Sequence, residues 1–348
     1  MADSPLVRPA VQSLVPYEPG KPVEEVQREL GLERVVKLAS NEGQYGPFPE
    51  ALEAIERGAP GLNRYPDGGA YLLRTALAER HGVGLENVTI AAGADSVIMY
   101  LSIAVLDPGD EIVCGWPSFP SYVLDALKLG AGAKRVPLTD HCYDVDAILG
   151  EIGPRTKIVY LCNPNNPTGT MIGRSEIESY FARVPEHVLT VLDEAYFEYV
   201  KSEDYPDGIE ESVKTGRRAL VLRTFSKIYG LAGLRVGYGV GPAEVVEAIG
   251  KVRNAFDINQ TAQDAARAIS AAFPRLARAG GGRLRRSAAG WRRPVRALAS
   301  PWLRLRSPTS STWRRVRIPA RCSTGSFARV RSCAPSGLSA RTMRSASR

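Results

Sequence analysis

Between residues 163 and 235 the sequence brings together a lysine, an acid, a phenol, an amide and an arginine in four short segments. The segments are 163–169 (NPNNPTG), 193–196 (DEAY), 224–227 (TFSK) and 233–235 (GLR). Each of the first three follows an apolar run that is typical of a strand, at 157–162, 188–192 and 219–222. Ligands bind at the carboxyl ends of the strands of an open parallel sheet, so we predict that these side chains meet in one crevice.

This set of side chains suits pyridoxal 5′-phosphate (PLP), whose aldehyde bonds to a primary amine. Lys227 is the candidate amine, because a lysine in a closed crevice loses solvent and its pKa falls. Asp193 is the candidate acid beside the ring nitrogen, where a carboxylate keeps the ring protonated and able to take up carbanion charge. Asn166 and Tyr196 can donate hydrogen bonds to the phenolic oxygen of the ring. We predict catalytic roles for Lys227, Asp193 and Tyr196.

A phosphate group needs backbone N–H groups at a helix start together with fixed positive charge. Segment 93–96 (GADS) follows the short strand 88–90 and opens the helical run 97–105, so it predicts a strand–turn–helix phosphate site. Ser226 and Arg235 can close this site from the other side. Phe119, which follows the strand 111–114, can stack on the ring. The predicted contacts at the helix start are Ala94, Asp95 and Ser96.

Each of these residues has a more ordinary interpretation when it is considered alone. Lys227 would be a solvated surface lysine, Asp193 a helix cap or an ion pair, and Phe119 a core residue. The Asn-Pro and Pro-Thr-Gly sequences are common in turns. These interpretations would all have to hold together, in this order and at successive strand ends, so we favour the cofactor site.

Residues 14–264 resemble the fold-type I, PLP-dependent aminotransferases, and among them the histidinol-phosphate aminotransferase family. Beyond the segments above, the resemblance rests on 14–17 (LVPY), 38–42 (LASNE) and 63–67 (NRYPD). It implies that Tyr65 reaches the cofactor phosphate of the partner subunit in a homodimer. It also implies that Tyr17 closes over the substrate and that Asn41 contributes to substrate binding. Aromatic amino acid aminotransferases and threonine-phosphate decarboxylases share most of these motifs and stay open as alternatives.

The resemblance implies an α/β fold with a mostly parallel central sheet flanked by helices, joined to a small α+β domain. Residues 1–40 would form an amino-terminal arm and a piece of the small domain, and 41–264 the large PLP-binding domain. Residues 265–348 occupy the place of the carboxyl-terminal small domain. The implied reaction is transamination of L-histidinol phosphate with 2-oxoglutarate, which yields glutamate, in histidine biosynthesis.

Composition excludes several other classes of protein. The 348 residues include five cysteines without paired spacing and three separated histidines, so neither a disulfide frame nor a metal cluster is expected. The sequence has no apolar run of membrane-spanning length and no signal-peptide pattern at its start. We therefore expect a cytoplasmic enzyme without a membrane partner. An NAD-dependent enzyme is not expected, since no Gly-x-Gly-x-x-Gly follows an early strand.

The net charge of +8 is divided unevenly along the chain. Residues 1–264 contain all 37 acidic residues, whereas residues 265–348 contain 20 arginines and no Lys, Asn, Gln, His or Tyr. A disordered basic arm that binds nucleic acid would be expected to carry lysine and interleaved aromatic residues. A solvated linker would rarely carry Trp291, Trp302 and Trp313. The third interpretation is an out-of-frame translation of a GC-rich gene.

The genetic code supports the third interpretation. In the frame that begins one nucleotide earlier, the codons of residues 307–313 permit Ala-Asn-Phe-Val-Tyr-Val, a sequence typical of a half-buried strand. The codons of 331–336 permit Val-Val-Arg-Pro-Leu, and those of 343–348 permit Ala-Ile-Arg-Val-Thr, which resembles the family's carboxylate-binding segment. We predict that the frame changes between residues 268 and 285. Residues 265–348 would then be poorly ordered and the chain impaired in transamination. The remaining alternative is an inactive PLP-fold relic with a basic tail.

Overall fold

The computed structural model describes residues 6–12, 14–15, 20–37, 40–43, 45–278, 302–306 and 313–317. The chain divides into two compact units, one made of residues 1–16 and 42–297 and the other of residues 17–41 and 298–348. Of the predicted arm, the described residues 20–37 and 40 therefore lie in the smaller unit, and 6–12 and 14–15 in the larger one. The predicted boundary after residue 264 lies inside a helix of the larger unit.

The larger unit is built on a seven-stranded sheet with the strand order β1-β7-β6-β5-β4-β2-β3. Strand β7 is antiparallel to both of its neighbours, and the remaining pairings are parallel. The strands are β1 (Val88–Ala91), β2 (Glu111–Trp116), β3 (Gly132–Pro137), β4 (Thr156–Cys162), β5 (Leu189–Asp193), β6 (Ala219–Thr224) and β7 (Gly237–Val240). The smaller unit contains the antiparallel pair β8 (Trp302–Arg306) and β9 (Trp313–Arg317).

Helices connect the strands of the larger unit, and one described helix, α2, lies in the smaller unit. In chain order the helices are α1 (Pro9–Gln12), α2 (Val23–Leu30), α3 (Pro49–Gly58), α4 (Tyr71–His81), α5 (Ala94–Val105), α6 (Ser121–Lys128), α7 (Val145–Gly150), α8 (Arg174–Phe181), α9 (Ala243–Val252) and α10 (Gln260–Arg278). A mostly parallel sheet flanked by helices confirms the predicted fold class.

The central strands β5 and β6 are buried along their whole length. This is the pattern of a parallel sheet covered on both faces, which explains why these strands read as continuous apolar runs in the sequence. The pairing places Asp193, the last residue of β5, beside Cys162 of β4 and Leu222 of β6. The segments that follow these three strands therefore leave the sheet at the same edge.

Helix α10 packs against α3 and α4 and continues past Asp264, the last acidic residue of the chain. Its apolar positions recur with helical spacing and are buried through Phe273. Phe273 also lies 4.6 Å from the ring of Tyr229, measured between ring centroids. Residues 265–278 are thus helical. The predicted poor order of residues 279–348 falls outside the described part of the chain, except for β8 and β9.

Candidate active site

Lys227 lies just after β6, in a turn that is fixed by local hydrogen bonds. The N–H of Ser226 donates to Thr224 Oγ1 at 3.1 Å, and the N–H of Gly230 donates to the Lys227 carbonyl at 3.0 Å. Burial lowers the pKa of the Lys227 amine below 10.5, and the charge of Arg235 lowers it further, whereas Asp193 and Glu42 oppose the shift. Burial therefore favours the neutral form of this amine, which is the nucleophilic one.

Asp193 ends β5 and is only 4 % exposed. Its Oδ2 accepts a hydrogen bond of 2.5 Å from the hydroxyl of Tyr122, and its Oδ1 accepts one of 3.1 Å from the N–H of Ala195. Burial raises the pKa of Asp193, and the hydrogen bonds from Tyr122 and Ala195 and the charge of Lys227 oppose that shift. The carboxylate is thus oriented by two donors and lies close enough to Lys227 for their charges to interact.

Tyr122 was not predicted as a site residue. It lies in the first turn of α6, three residues after Phe119, and it is fully buried. Its ring stacks on Tyr160 with a centroid distance of 4.3 Å and contacts the edge of Phe119 at 5.7 Å. Phe119 lies before the start of α6, so helical periodicity gives no signal that would have found Tyr122. The hydrogen bond to Asp193 spans 71 residues and depends on tertiary packing.

Gly93, in the turn before α5, lies close to Arg235, in the segment before β7. Gly93 has φ +92°, and a β-carbon at this position would lie 2.5 Å from Arg235 Nη2. A side chain at Gly93 would therefore displace the guanidinium. The N–H groups of Ala94 and Asp95 belong to the first helical turn, where an α-helix leaves backbone donors without an intrahelical acceptor. The turn at Gly93 thus has these backbone donors on its helix side and the Arg235 guanidinium against it. A phosphate site at a helix start is expected to combine backbone N–H groups with a positive charge in this way.

The remaining ring and phosphate candidates of the larger unit lie on the same edge of the sheet. Tyr196 is buried, and its ring centroid is 5.5 Å from Lys227 Nζ. Ser226 is buried beside Lys227, Ser96 donates from Oγ to the Ala92 carbonyl at 3.2 Å, and Asn166 is half-buried after β4. The specific contacts predicted for these residues stay predictions.

The resemblance alone implies the roles of three further candidates, Tyr65, Asn41 and Tyr17. Tyr65 is 82 % exposed and stacks on Phe256 with a centroid distance of 4.7 Å. The role of Tyr65 at a partner subunit stays a prediction. Asn41 is exposed and belongs to the smaller unit, and its predicted contact with substrate also stays a prediction. Tyr17 lies outside the described residues.

A buried ion pair lies directly behind Asp193 and Lys227. Arg223 Nη2 and Glu194 Oε2 are 2.6 Å apart, and both side chains are 2 % exposed. Glu194 also accepts the N–H of Gly208 at 2.8 Å, and Arg223 contacts Asp207 Oδ1 at 3.1 Å. Since Glu194 follows Asp193 and Arg223 precedes the Lys227 turn, this pair joins the ends of β5 and β6, which precede the two candidate residues. Neither residue was predicted from the sequence.

Within the described residues, no group of three or more His, Cys, Asp or Glu side chains could hold a metal ion. Among those same residues, no helix combines the length and the apolar character that crossing a membrane would require.

Comparison with known proteins gives consistent results. The family described as aminotransferase class I and II matches residues 33–296. Histidinol-phosphate aminotransferase 2 of Carboxydothermus hydrogenoformans is 47% identical over 262 residues, which is 75% of this chain and 72% of that protein. Histidinol-phosphate aminotransferase of Moorella thermoacetica is 47% identical over 267 residues, 76% of this chain and 69% of that protein.

Solved structures show the same relationship. The histidinol-phosphate aminotransferase from Sinorhizobium meliloti in complex with pyridoxal-5′-phosphate matches with a TM-score of 0.72 and 29% identity, covering 83% of this chain and 75% of that one. The aspartate aminotransferase from Thermus thermophilus with maleate matches with a TM-score of 0.70 and 25% identity, covering 82% of this chain and 77% of that one.

Proposed function

The chain belongs to the class I and II aminotransferases, and on that premise we propose that it is built to transaminate L-histidinol phosphate with 2-oxoglutarate in histidine biosynthesis. The observation that carries the proposal is the pairing of a half-buried Lys227, whose pKa is lowered by burial, with the buried Asp193. The substrate is proposed from the curated relatives, which are named as histidinol-phosphate aminotransferases. We propose the cytoplasm as its location, since these relatives are biosynthetic enzymes.

The prediction of PLP as the cofactor is confirmed by the family and by the related structure that holds it. The residues present fit this group: Lys227 for its aldehyde, Asp193 for its ring nitrogen, and the turn at Gly93 with Arg235 for its phosphate. When bound, PLP supplies an electrophilic aldehyde and a ring that accepts the electron pair released at the substrate α-carbon.

The chain's own residues would then act as follows. Asp193, held by Tyr122 and Ala195, would keep a proton on the ring nitrogen through its charge. Lys227, once an amino substrate has replaced it, would carry a proton from the substrate α-carbon on its Nζ. The burial that lowers the pKa of Lys227 would favour the neutral amine that accepts this proton. Tyr196 would donate to the phenolic oxygen from the turn that follows Asp193.

The first experiment on this proposal locates the attached cofactor. Reduction of the PLP-treated protein with borohydride, followed by peptide mass mapping, is expected to find the pyridoxyl group on Lys227. The Lys227→Ala variant is the control and should carry no label at this site. A label spread over exposed lysines such as Lys251, with Lys227 unmodified, would overturn the proposal.

The rate at which PLP attaches to the apoprotein is expected to rise with pH and to reach half of its maximum below pH 10.5. The physical reason is that only the neutral amine attacks the aldehyde, and burial lowers the pKa of Lys227. Stopped-flow absorbance measures the rate, and a short peptide with one exposed lysine serves as the control. A midpoint at or above that of the peptide would contradict the lowered pKa.

We also propose that the active form is a homodimer in which Tyr65 contacts the phosphate bound by the other subunit. Its 82 % exposure within one chain supports this proposal. The Tyr65→Phe change keeps the ring that stacks on Phe256 and removes one hydroxyl donor. We expect PLP affinity to fall about tenfold, the size of one charge-assisted hydrogen bond.

A mixed dimer tests whether Tyr65 contacts the phosphate bound by its own subunit or by the partner subunit. Tyr65→Phe subunits are combined with Lys227→Ala subunits, so that one site of each mixed dimer contains Lys227 from one chain and Tyr65 from the other. We expect this site to bind PLP as tightly as the unmodified protein. If Tyr65 acted within its own chain, the only site with Lys227 would keep the weakened affinity.

Finally, we propose that the chain as written is impaired in transamination because residues after about 273 are out of frame. Two observations support this: residues 265–348 contain no acidic residue, and the first curated relatives align with only 69–72% of their own length. By resemblance, the family takes a carboxylate-binding arginine from the missing small domain. PLP attachment, which depends on residues before that point, should be retained.

A further inference from the structure

The turn that opens the predicted phosphate site has an unusual conformation. Gly93 has a φ of +92° and a ψ of 161°, a region that is essentially restricted to glycine. Its N–H donates a hydrogen bond to the Ala91 carbonyl at 2.6 Å. A turn of this kind keeps its shape only where the surrounding structure fixes it. The residues that fix it determine where the N–H groups of Ala94 and Asp95 point.

One short segment, residues 253–257 between α9 and α10, contacts each part of this strand–turn–helix unit. Arg253 Nη1 donates to the Ile90 carbonyl of β1 at 3.0 Å. Asp257 Oδ2 accepts from the N–H of Ala92, in the turn itself, at 2.9 Å. Asp257 Oδ1 accepts from the hydroxyl of Tyr100 on α5 at 2.9 Å. The contacts therefore hold the strand, the turn and the helix from one side.

We propose that Asp257 is a positioning residue for the phosphate-binding turn. Its carboxylate accepts the Ala92 N–H and so fixes the turn relative to segment 253–257, which Arg253 anchors to β1. The hydroxyl of Tyr100 adds a second hydrogen bond to the same carboxylate. The first-turn N–H groups of α5 then keep a constant direction toward the phosphate. This inference rests on the proposed function, because it assumes that the turn binds the phosphate of PLP. Nothing in it depends on the identity of the amino substrate.

Arg253 and the start of α10 also fix the loop that carries Tyr65. Arg253 Nη2 donates to the Gly68 carbonyl at 2.5 Å. The side chains of Gln260 and Gln263 hold the N–H and the carbonyl of Asp67 at 3.2 Å and 2.9 Å. The side chain of Asp257 bonds to the turn and to α5, whereas other side chains hold the loop, so replacement of Asp257 should affect the turn more than the loop.

The test compares two ligands that differ only in the phosphate. The dissociation constants of PLP and of pyridoxal are measured by absorbance for the full chain and for Asp257→Ala and Asp257→Asn. We expect Asp257→Ala to weaken PLP about tenfold, the effect of one lost hydrogen bond to a charged group, and to leave pyridoxal within about twofold. Asp257→Asn, which keeps the shape and a single acceptor oxygen, should give an intermediate loss.

Tyr100→Phe provides the matched control, because it removes the other hydrogen bond to the same carboxylate and leaves the Ala92 contact in place. It should lower thermal stability by a similar amount while PLP binds as in the unmodified protein. Equal losses for PLP and pyridoxal, or unchanged PLP affinity in both Asp257 variants, would overturn the proposal. Failure of the unmodified chain to attach PLP at Lys227 would instead overturn the proposed function, so the two failures are distinguishable.

Discussion

Insertion of one nucleotide within the codons of residues 274–285 is expected to raise the rate of histidinol phosphate transamination about a hundredfold or more. The insertion restores the frame in which the carboxyl-terminal codons permit strand sequences and an arginine-bearing segment. A buried, bidentate arginine contributes about 3 kcal/mol or more to holding an anionic substrate, which corresponds to roughly a hundredfold in rate. The position follows from α10, whose buried face continues through Phe273.

The control for this experiment is an insertion of three nucleotides at the same place, which adds one residue and leaves the frame unchanged. That chain should transaminate no faster than the chain as written. Glutamate formation measures the rate, with phenylalanine as a competing substrate and carbon dioxide release as a check for decarboxylation. If the chain as written already reaches the rate of the restored chain, the out-of-frame proposal is wrong. If the restored chain prefers phenylalanine, the aromatic aminotransferase alternative replaces the proposed substrate.

Replacement of Arg223 by methionine is expected to lower the free energy of unfolding by about 3–5 kcal/mol at alkaline pH, where Glu194 is ionised. The change leaves the carboxylate of Glu194, which is 2 % exposed, without its cationic partner, and an unpaired buried charge costs about this much. Urea denaturation of the apoprotein measures the loss. The double variant Arg223→Met with Glu194→Met should recover a large part of it, because it removes both charges together.

The loss of stability in Arg223→Met is expected to depend on pH. Burial raises the pKa of Glu194 to about 7 even with Arg223 opposing the shift, from an ordinary value of 4.5. In Arg223→Met this opposition is lost, so the folded state holds the Glu194 proton still more tightly than the unfolded state does. The stability deficit should therefore be largest at alkaline pH, should shrink as the pH falls toward 7, and should stay constant below that, where both proteins hold the proton.

The exposed pair Lys251–Glu247 provides the control, since its side chains are 69% and 68% exposed at a distance of 2.7 Å. Exposed ion pairs contribute about 1 kcal/mol or less, so Lys251→Met should lose little stability at any pH. A deficit in Arg223→Met no larger than that of Lys251→Met would show that the buried pair does not hold the ends of β5 and β6 together.

The amino-acid sequence by itself determined the central layout of the site. The apolar runs 157–162, 188–192 and 219–222 overlap the strands β4, β5 and β6. Parallel strands have their carboxyl ends at one edge of the sheet. Motifs that directly follow such strands are therefore expected at that edge, where ligands bind. The glycine of the phosphate turn could be found for a similar reason: a left-handed conformation leaves few alternatives to glycine.

Only the tertiary structure decided which side chains support these motifs. Tyr122 reaches Asp193 across 71 residues, and Asp257 reaches Ala92 across 165. The Arg223–Glu194 pair joins neighbouring strands that the sequence separates by 29 residues. Local propensity and periodicity carry no information on such contacts, because a tyrosine or an aspartate fits a helix or loop equally well with many partners. The partner is selected when helices pack on the sheet, and burial then requires each polar group to find a hydrogen bond.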